Sequence, residues 1–214
     1  MISNNLWKTN QQLAINCLSH PFVQGIADGT LSQKSFAYYV GQDTFFLRAF
    51  ARAYSIAAAK SPDWKIFELF HTLTDGVKEE LKLHQSYANK WGVNLENITP
   101  GFATQRYTDF LLVTAWSNNI GAIATAMTPC MRLYAFLGQE LAKPEIPEHQ
   151  YSDWIRTYSS QEFEYLAEKL EQVTDCYADS IQEAESIYSY AMLCERDFFQ
   201  AAWEMGTEAR SFNS

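Results

Sequence analysis

Residues 36–54 of the 214-residue chain read FAYYVGQDTFFLRAFARAY, and the spacing of their large side chains decides the fold class. The apolar positions recur every three or four residues, at Phe36, Tyr39/Val40, Phe46/Leu47, Phe50 and Tyr54. This period matches the α-helical turn of about 3.6 residues, and no stretch of the chain alternates convincingly with period two. The stretch therefore predicts a long helix with one face buried in a core.

Sparse glycines and prolines divide the rest of the chain into similar segments. We predict eight helices, near residues 3–18, 31–60, 63–91, 102–117, 119–142, 148–157, 160–178 and 180–205. Thr30 or Ser32 and Asp63 are expected at helix starts, and Gly92 at a helix end. Because long helices joined by short loops form bundles, we predict one all-α antiparallel bundle, a single domain spanning residues 1–214.

The charge and the cysteine usage restrict the class of function. A net charge of −9 provides no basic surface for phosphates, so we expect no nucleic-acid partner. Neither a secretory signal nor an apolar run long enough for a membrane span is apparent, so we expect a cytoplasmic protein with no membrane partner. Its cysteines are expected to be free thiols, and three of them, Cys17, Cys176 and Cys194, are expected to be packing residues.

Three reactive side chains lie where the helical period predicts core positions. Asp43 fills the missing place in the stripe of residues 36–54, and Glu195 lies in the middle of the stripe of the last helix. Cys130 follows Pro129, which bends a helix axis and can expose the thiol to a cavity. Because burying an unpaired carboxylate costs several kcal/mol, each acid should meet a hydrogen-bond donor or a ligand.

These residue types leave both structural and chemical roles open. Arg48, Arg52 or Arg132 could neutralise a buried acid, and most buried cysteines are inert packing residues. A thiol beside a carboxyl base can instead be a nucleophile, and the many aromatic rings would stack on a flat ligand. The combination suits nucleophilic attack on an aromatic nitrogen heterocycle.

A metal site is the other chemistry to consider. Glu80 and His84 are four residues apart on one helix, and His71 and Asp75 repeat that spacing. A di-iron bundle requires a second carboxylate–histidine pair on another helix, whereas the two remaining histidines lie beside prolines or loops. We therefore expect no metal, with Glu80 and His84 on a solvated or hydrogen-bonding face.

Five segments, in order along the chain, resemble the TenA/thiaminase II family. They are residues 20–31 (HPFVQGIADGTL), 38–43 (YYVGQD), 129–134 (PCMRLY) followed by Gly138, 154–158 (WIRTY), and Glu195 with Phe198 three residues later. The resemblance covers essentially the whole chain. It implies an all-α fold like that of haem oxygenase, without haem or another cofactor, usually assembled as a homotetramer.

The resemblance also implies an activity. It implies hydrolysis of an aminopyrimidine, either thiamin or a degraded product such as 4-amino-5-aminomethyl-2-methylpyrimidine. The product, 4-amino-5-hydroxymethyl-2-methylpyrimidine, would enter thiamin salvage. A sister group lacks the cysteine, so Cys130 indicates the cysteine-bearing group.

Site roles follow from the same resemblance, residue by residue. Cys130 would add to the pyrimidine ring, Glu195 would be the general acid/base, and Asp43 would orient the ring through its amino and ring-nitrogen edge. Five further side chains would line the site: Phe46, Tyr107, Tyr134, Tyr158 and Phe198. Tyr107 and Tyr158 would steady the thiolate by hydrogen bonding.

Phe46 departs from the family pattern, which often has a tyrosine there. The tyrosine hydroxyl would lie close to the cysteine, so activation of the thiol falls more heavily on Tyr158 or Glu195. A non-catalytic pyrimidine- or thiamin-binding or regulatory paralogue is therefore the alternative function. A haem or di-iron oxidase on the same fold is disfavoured, because His20 lies at a helix break and a second carboxylate–histidine pair is missing.

Overall fold

The computed structural model describes residues 1–143 and 145–211, with side chains described through residue 206. These residues form ten helices: α1 (Ile2–Thr9), α2 (Gln11–Leu18), α3 (Pro21–Ala27), α4 (Gln33–Ala59), α5 (Trp64–Trp91), α6 (Phe102–Ser117), α7 (Ile120–Ala142), α8 (Ser152–Tyr158), α9 (Gln161–Tyr177) and α10 (Ile181–Ser211). No strand occurs in the two described ranges. The predicted all-α class is confirmed.

The N-terminal segment differs from the prediction in two places. The expected helix at 3–18 is two helices that meet at Asn10, whose side-chain amide donates to the Leu6 carbonyl at 2.9 Å. The sequence prediction also missed α3. This helix has only seven residues, with Pro21 in its first turn, and the His20 ring accepts a hydrogen bond from the Phe22 amide at 3.1 Å. The other seven predicted helices begin within four residues of the observed starts.

Local capping explains where α4 and α5 begin and where α5 ends. The Ser32 hydroxyl accepts from the Ser35 amide at 3.0 Å, so Ser32 rather than Thr30 caps α4. The Asp63 carboxylate accepts from the Ile66 amide at 2.9 Å at the start of α5. Gly92 ends α5 in the left-handed region, at φ 68°, which glycine adopts without a side-chain clash.

Aromatic pairs fix the direction of α4 against its neighbours. Its first turns pack on the end of α5, with Phe36 and Trp91 ring centroids 4.9 Å apart, and its later turns pack on the start, through Tyr54 and Phe70. These two helices are therefore antiparallel. In contrast, α6 runs parallel to α4, because Gly101 bonds the Gln42 side chain and the Lys60 ammonium caps carbonyls at the end of α6.

Helix α7 lies at the centre of the bundle. Of its 23 residues, 18 are buried, and it packs against α6, α8, α9 and α10. It is long and apolar enough to cross a membrane by length and composition, contrary to our expectation, but 89% of its most apolar 18-residue window is buried inside the protein. The core helix of a folded domain passes the same test. One connected core contains residues from all ten helices.

The arginines considered as partners for buried acids lie elsewhere. Arg132 pairs with Glu164 and Glu171 of α9, each at 2.7 Å. Arg48 and Arg52 are exposed, and Arg52 donates to the Arg48 carbonyl on the surface of their own helix. The inward acids are thus held without these arginines.

Helix α8 approaches α7 at Gly138. A Cβ added there would lie 2.3 Å from the Tyr158 carbonyl carbon, which is backbone and cannot swing away. The Tyr158 side chain therefore reaches the interior only because residue 138 has no side chain.

We predict that Gly138→Ala destabilises the fold and displaces Tyr158. Overpacking against backbone costs about 1–3 kcal/mol or more, because α8 must move outward. The free energy of unfolding, measured by urea titration followed by circular dichroism, should fall by at least that amount.

Gly76→Ala is the matched control, because its added Cβ would meet only the movable Leu166 methyl, at 3.0 Å. Replacing a helical glycine by alanine gains about 0.5–1 kcal/mol, so this variant should unfold within about 1 kcal/mol of the unaltered protein. Equal stability of the two variants would contradict the close approach at Gly138.

Candidate active site

Three helices bring the three inward side chains together. Asp43 on α4, Cys130 on α7 and Glu195 on α10 are 3%, 9% and 2% exposed. The carboxyls of Glu195 and Asp43 both raise the pKa of the Cys130 thiol, and Glu195 and Cys130 are within hydrogen-bonding reach of each other. A thiol and two acids thus share one buried site.

Glu195 is held by a tyrosine. The Tyr107 hydroxyl donates to Glu195 Oε1 at 2.8 Å. Burial raises the pKa of Glu195 to about 7, although hydrogen bonds from Tyr107 and Cys130 act in the opposite direction. A carboxyl with this pKa exchanges a proton readily near neutral pH, as a general acid or base requires.

The Cys130 thiol is protonated in this surrounding. Burial raises its pKa well above the usual range, and the charges of Glu195, Glu80 and Asp43 raise it further. The usual activating device, a positive charge beside the sulfur, does not appear among the groups that act on its pKa. A thiolate therefore forms here only when a base takes the proton or a cationic ligand enters.

Asp43 faces a neutral histidine. His84 Nε2 lies 3.3 Å from Asp43 Oδ2, yet this oxygen and His84 Nδ1 both lack a hydrogen bond within the described part of the chain. Burial lowers the pKa of His84 to about 4, and burial together with the charge of Glu80 raises the pKa of Asp43 well above its normal value. The two side chains thus present unused polar atoms in a buried site, where unsatisfied groups are costly.

Glu80 is the acid that the sequence prediction missed. It is half-buried, and Tyr158 donates a hydrogen bond to its carboxylate. Burial raises the pKa of Glu80 to about 7. Our expectation of a hydrogen-bonding face is correct for Glu80, but a solvated face is wrong for His84, which is 1% exposed.

The spacing that identified Asp43 also identifies this pair. On α5 the apolar stripe runs Leu73, Val77, then Tyr87, and residues 80 and 84 are its missing members. The Glu80–His84 spacing by itself suggested a metal motif. Because the sequence has no second carboxylate–histidine pair for a di-iron centre, we predicted that both residues lie outside the site.

The remaining predicted residues form an aromatic wall. Phe46 packs on Tyr107 with ring centroids 4.8 Å apart, and Phe198 lies 6.1 Å from Phe46. Tyr134 packs edge-on against Tyr158 at 4.8 Å. The structure therefore brings together all eight side chains that we predicted from the sequence as site residues.

Two buried residues that we did not nominate complete this wall. Tyr39 lies beside Phe198, donates to the Tyr134 hydroxyl at 3.4 Å and accepts from the Trp154 indole at 3.2 Å. Tyr39 belongs to the same helix stripe as Asp43. In the sequence its aromatic ring fits the apolar stripe, so the pattern does not predict that its hydroxyl forms hydrogen bonds in the site.

Asp43, Glu80 and His84 could also hold a metal ion. One ligand atom of each lies within 4.8 Å of the others. Two carboxylates and an imidazole are ligands that Zn²⁺ and Fe²⁺ accept. One Glu80 oxygen already bonds Tyr158, however, and the described residues offer no second histidine to this cluster.

The fold and the site define an all-α protein with a buried thiol–carboxyl centre walled by aromatic rings. The chain belongs to the TENA/THI-4/PQQC family, whose model matches residues 7–205. The predicted resemblance is thereby confirmed. A TenA homologue from Pyrococcus horikoshii superposes with a TM-score of 0.88 at 27% identity, covering 96% of this chain and 99% of that one.

A domain with a haem oxygenase-like fold from Shewanella denitrificans, 13% identical, superposes with a TM-score of 0.72 over 97% of this chain and 94% of that one. The haem-oxygenase-like fold is confirmed. Among relatives, an aminopyrimidine aminohydrolase from Halalkalibacterium halodurans is 31% identical over 91% of this chain and 90% of its own.

Some relatives are much longer. The thiamine biosynthesis multifunctional protein ThiED from Corynebacterium efficiens is 32% identical over 94% of this chain, which spans only 28% of that protein.

We predict that the buried acids make stability fall as pH rises. Glu80 and Glu195 have a pKa of about 7 in the fold against 4.5 unperturbed, so their contribution is complete below about pH 4.5 and lost as pH rises through about 7. His84, with its pKa lowered to about 4, acts oppositely between about pH 4 and 6.5 and offsets only one carboxyl. The melting temperature should therefore fall between about pH 5 and 7.5.

Glu195→Gln removes one of the two carboxyls, so its melting temperature should depend less steeply on pH. Glu168→Gln, at an exposed position on α9, changes net charge equally and should keep the original slope. Calorimetric scans of all three proteins across this pH range check the prediction. An unchanged slope in Glu195→Gln would show that Glu195 does not titrate as its burial requires.

Proposed function

We propose that the protein is an aminopyrimidine hydrolase with a cysteine nucleophile. The observation that carries this proposal is the burial of the Cys130 thiol beside the Glu195 carboxyl, close enough for each group to shift the pKa of the other, while Tyr107 holds Glu195 in place. A nucleophile, an adjacent base and a group that orients the base are the parts that covalent catalysis needs. Membership of the family and the aminohydrolase name of a 31%-identical relative support the same reaction class.

The proposed substrate is 4-amino-5-aminomethyl-2-methylpyrimidine, thiamin, or both. A protonated Asp43 suits the amidine edge of such a ring, because its hydroxyl can donate to a ring nitrogen while its carbonyl oxygen accepts from the amino group. The raised pKa of Asp43 favours that protonated form. Tyr107, Phe46 and Phe198 would cover the ring with aromatic surface.

The chemistry proceeds by addition and elimination. Glu195 takes the thiol proton, and the sulfur of Cys130 forms a bond to a ring carbon next to the methylene-bearing carbon. The bond from the methylene to the amine breaks, and its electron pair leaves with nitrogen. Glu195 passes the thiol proton to the departing nitrogen. Water then adds to the methylene and gives a proton to Glu195, and the thiolate departs and takes that proton, which restores the ring. In sum, the protonated aminomethylpyrimidine and water give the hydroxymethylpyrimidine and ammonium.

The setting of the enzyme is part of the proposal. We propose a cytoplasmic protein of thiamin salvage that needs no cofactor and assembles as a homotetramer. Large apolar side chains at the surface support association: Trp64, Phe102, Val113, Trp116, Tyr165 and Tyr190 are all exposed.

A non-catalytic pyrimidine- or thiamin-binding protein is the second candidate. The raised pKa of Cys130 favours it, because a protonated thiol is a poor nucleophile. Phe46 adds to this argument, since it brings no hydroxyl to the sulfur. Turnover of substrate separates the two candidates, because the binding protein would hold the ring without releasing product.

We predict that Cys130→Ser and Glu195→Gln each lower kcat for pyrimidine hydrolysis by about 100-fold or more, since each removes a group that makes or moves a bond. Purified protein is incubated with thiamin and with the aminomethylpyrimidine, and the hydroxymethylpyrimidine is quantified by chromatography. The same preparation is assayed with and without a chelator, which tests the metal alternative.

Cys176→Ser is the control thiol variant. Cys176 is exposed, contrary to our expectation that it packs, and it should be dispensable. Normal turnover by Cys130→Ser would overturn the nucleophile assignment. Absence of turnover by the unaltered protein, together with tight binding of the pyrimidine, would favour the second candidate.

We predict that Phe46→Tyr makes the Cys130 thiol more reactive. A hydroxyl added beside Tyr107 would stabilise the thiolate and lower the pKa of Cys130, so alkylation by iodoacetamide near pH 8 should speed up several-fold. The experiment uses a Cys176→Ser background to remove the exposed thiol.

Phe50→Tyr is the control, because it adds the same hydroxyl one turn further along α4, where the Phe50 ring packs on Tyr54. Its alkylation rate should match that of the background protein. Equal rates for Phe46→Tyr and the background would show that residue 46 does not influence the sulfur.

A further inference from the structure

A groove lies on the outside of the bundle between α5 and α9. Its volume is about 620 Å³, and four of its lining residues are acidic: Asp75, Glu79, Glu80 and Glu162. Among the described residues, no lysine or arginine lines the groove. Asp75 and Glu79 pair with the exposed Lys78 and Lys82 at 2.8 and 2.6 Å, so unneutralised charge is concentrated on the other two acids.

Glu80 joins this groove to the buried site. It lines the groove and is bonded by Tyr158, and one of its oxygens lies within 4.8 Å of the ligand atoms of Asp43 and His84. Met131, the neighbour of Cys130 in the chain, lines the same groove. A small molecule in the groove would therefore meet the site first at Glu80.

The carboxylate of Glu80 can accept further hydrogen bonds. Tyr158 occupies Oε1, and Oε2 accepts no hydrogen bond from the described residues. Beside it, Asp43 Oδ2 is buried and lacks a hydrogen bond within the same part of the chain. The Glu80 carboxylate itself is half-buried and lines the groove. Together the two carboxyls favour a ligand that brings N–H groups and positive charge.

The proposed substrate has such a group in the matching place. In a 4-amino-5-aminomethylpyrimidine, the methylene lies between the carbon that carries the amino group and the carbon that the sulfur attacks. If Asp43 binds the amino edge and Cys130 attacks the far carbon, the methylene amine lies between them. Glu80 lies beside Asp43 and acts electrostatically on Cys130, so it faces this amine.

We propose that Glu80 is a specificity-determining residue that receives the ammonium of the leaving group, and that the acidic groove is the route by which the cation enters. This inference rests on the proposed function. It assigns to the site a preference for pyrimidines that carry a protonated amine on the methylene. The product has a neutral hydroxyl there, makes no ion pair with Glu80 and is released.

The test compares binding of the cationic substrate and the neutral product. Both are titrated calorimetrically into Cys130→Ser protein, which should bind without turnover, and into the same protein carrying Glu80→Gln. Because charge-assisted hydrogen bonds contribute about 1.5–3 kcal/mol, Glu80→Gln should weaken binding of the aminomethylpyrimidine by about 10-fold or more. Binding of the hydroxymethylpyrimidine should change by less than about 3-fold.

Two further variants make the comparison specific. Glu68→Gln removes the same charge from an exposed position on α5 and should change neither affinity. Glu80→Asp keeps the charge but shortens the side chain by one methylene. Its affinity for the aminomethylpyrimidine should therefore lie between the affinities of the parent protein and of Glu80→Gln. Circular dichroism melts confirm that each variant is folded before titration.

Equal loss of affinity for both ligands would overturn the inference, because it would show that Glu80 only maintains the pocket. No loss for either ligand would overturn it as well. If the parent protein binds neither pyrimidine and the unaltered protein hydrolyses neither, the proposed function itself fails. That outcome is distinct from an unchanged preference in a protein that does bind them.

Discussion

The structure is organised around three carboxyl groups, two buried and one half-buried, that act on one thiol. Asp43, Glu80 and Glu195 act on one another and on Cys130, and no lysine or arginine appears among the groups that set their pKa values. Charge of one sign in an apolar core is costly, so the fold must supply hydrogen bonds or protons in its place. Tyr107 donates a hydrogen bond to Glu195, and Tyr158 donates one to Glu80. The raised pKa values of the three acids favour their protonated, neutral forms.

This constraint explains the architecture around the site. Each acid comes from a different long helix, and α7 carries the thiol whose pKa all three acids raise. Short α8 contributes only Tyr158 and its neighbours, and it can do so because Gly138 lets its backbone lie directly on α7.

Periodicity predicted much of this arrangement. A polar residue in the middle of an apolar stripe identified Asp43 and Glu195, since a helix face that is otherwise buried cannot place one member in water. The same rule would have found Glu80 and His84. It could not show that Tyr158 bonds Glu80 or that Tyr107 bonds Glu195, because these pairs are 78 and 88 residues apart and depend on how the helices pack. Helix α3 was missed for a different reason: Pro21 begins this short helix, Gly25 lies inside it and Gly29 follows it, and such a composition indicates a loop.

The buried acids have a consequence for the thermodynamics of ligand binding. In the free protein near neutral pH, Glu80 and Glu195 are each about half protonated, since their pKa values are about 7. A cation that enters the site takes over the role of those protons, and the protons pass to the buffer. Association is then an exchange of one positive charge for another. Its measured enthalpy will vary with the ionisation heat of the buffer, and acidification will act as a competitor of the ligand.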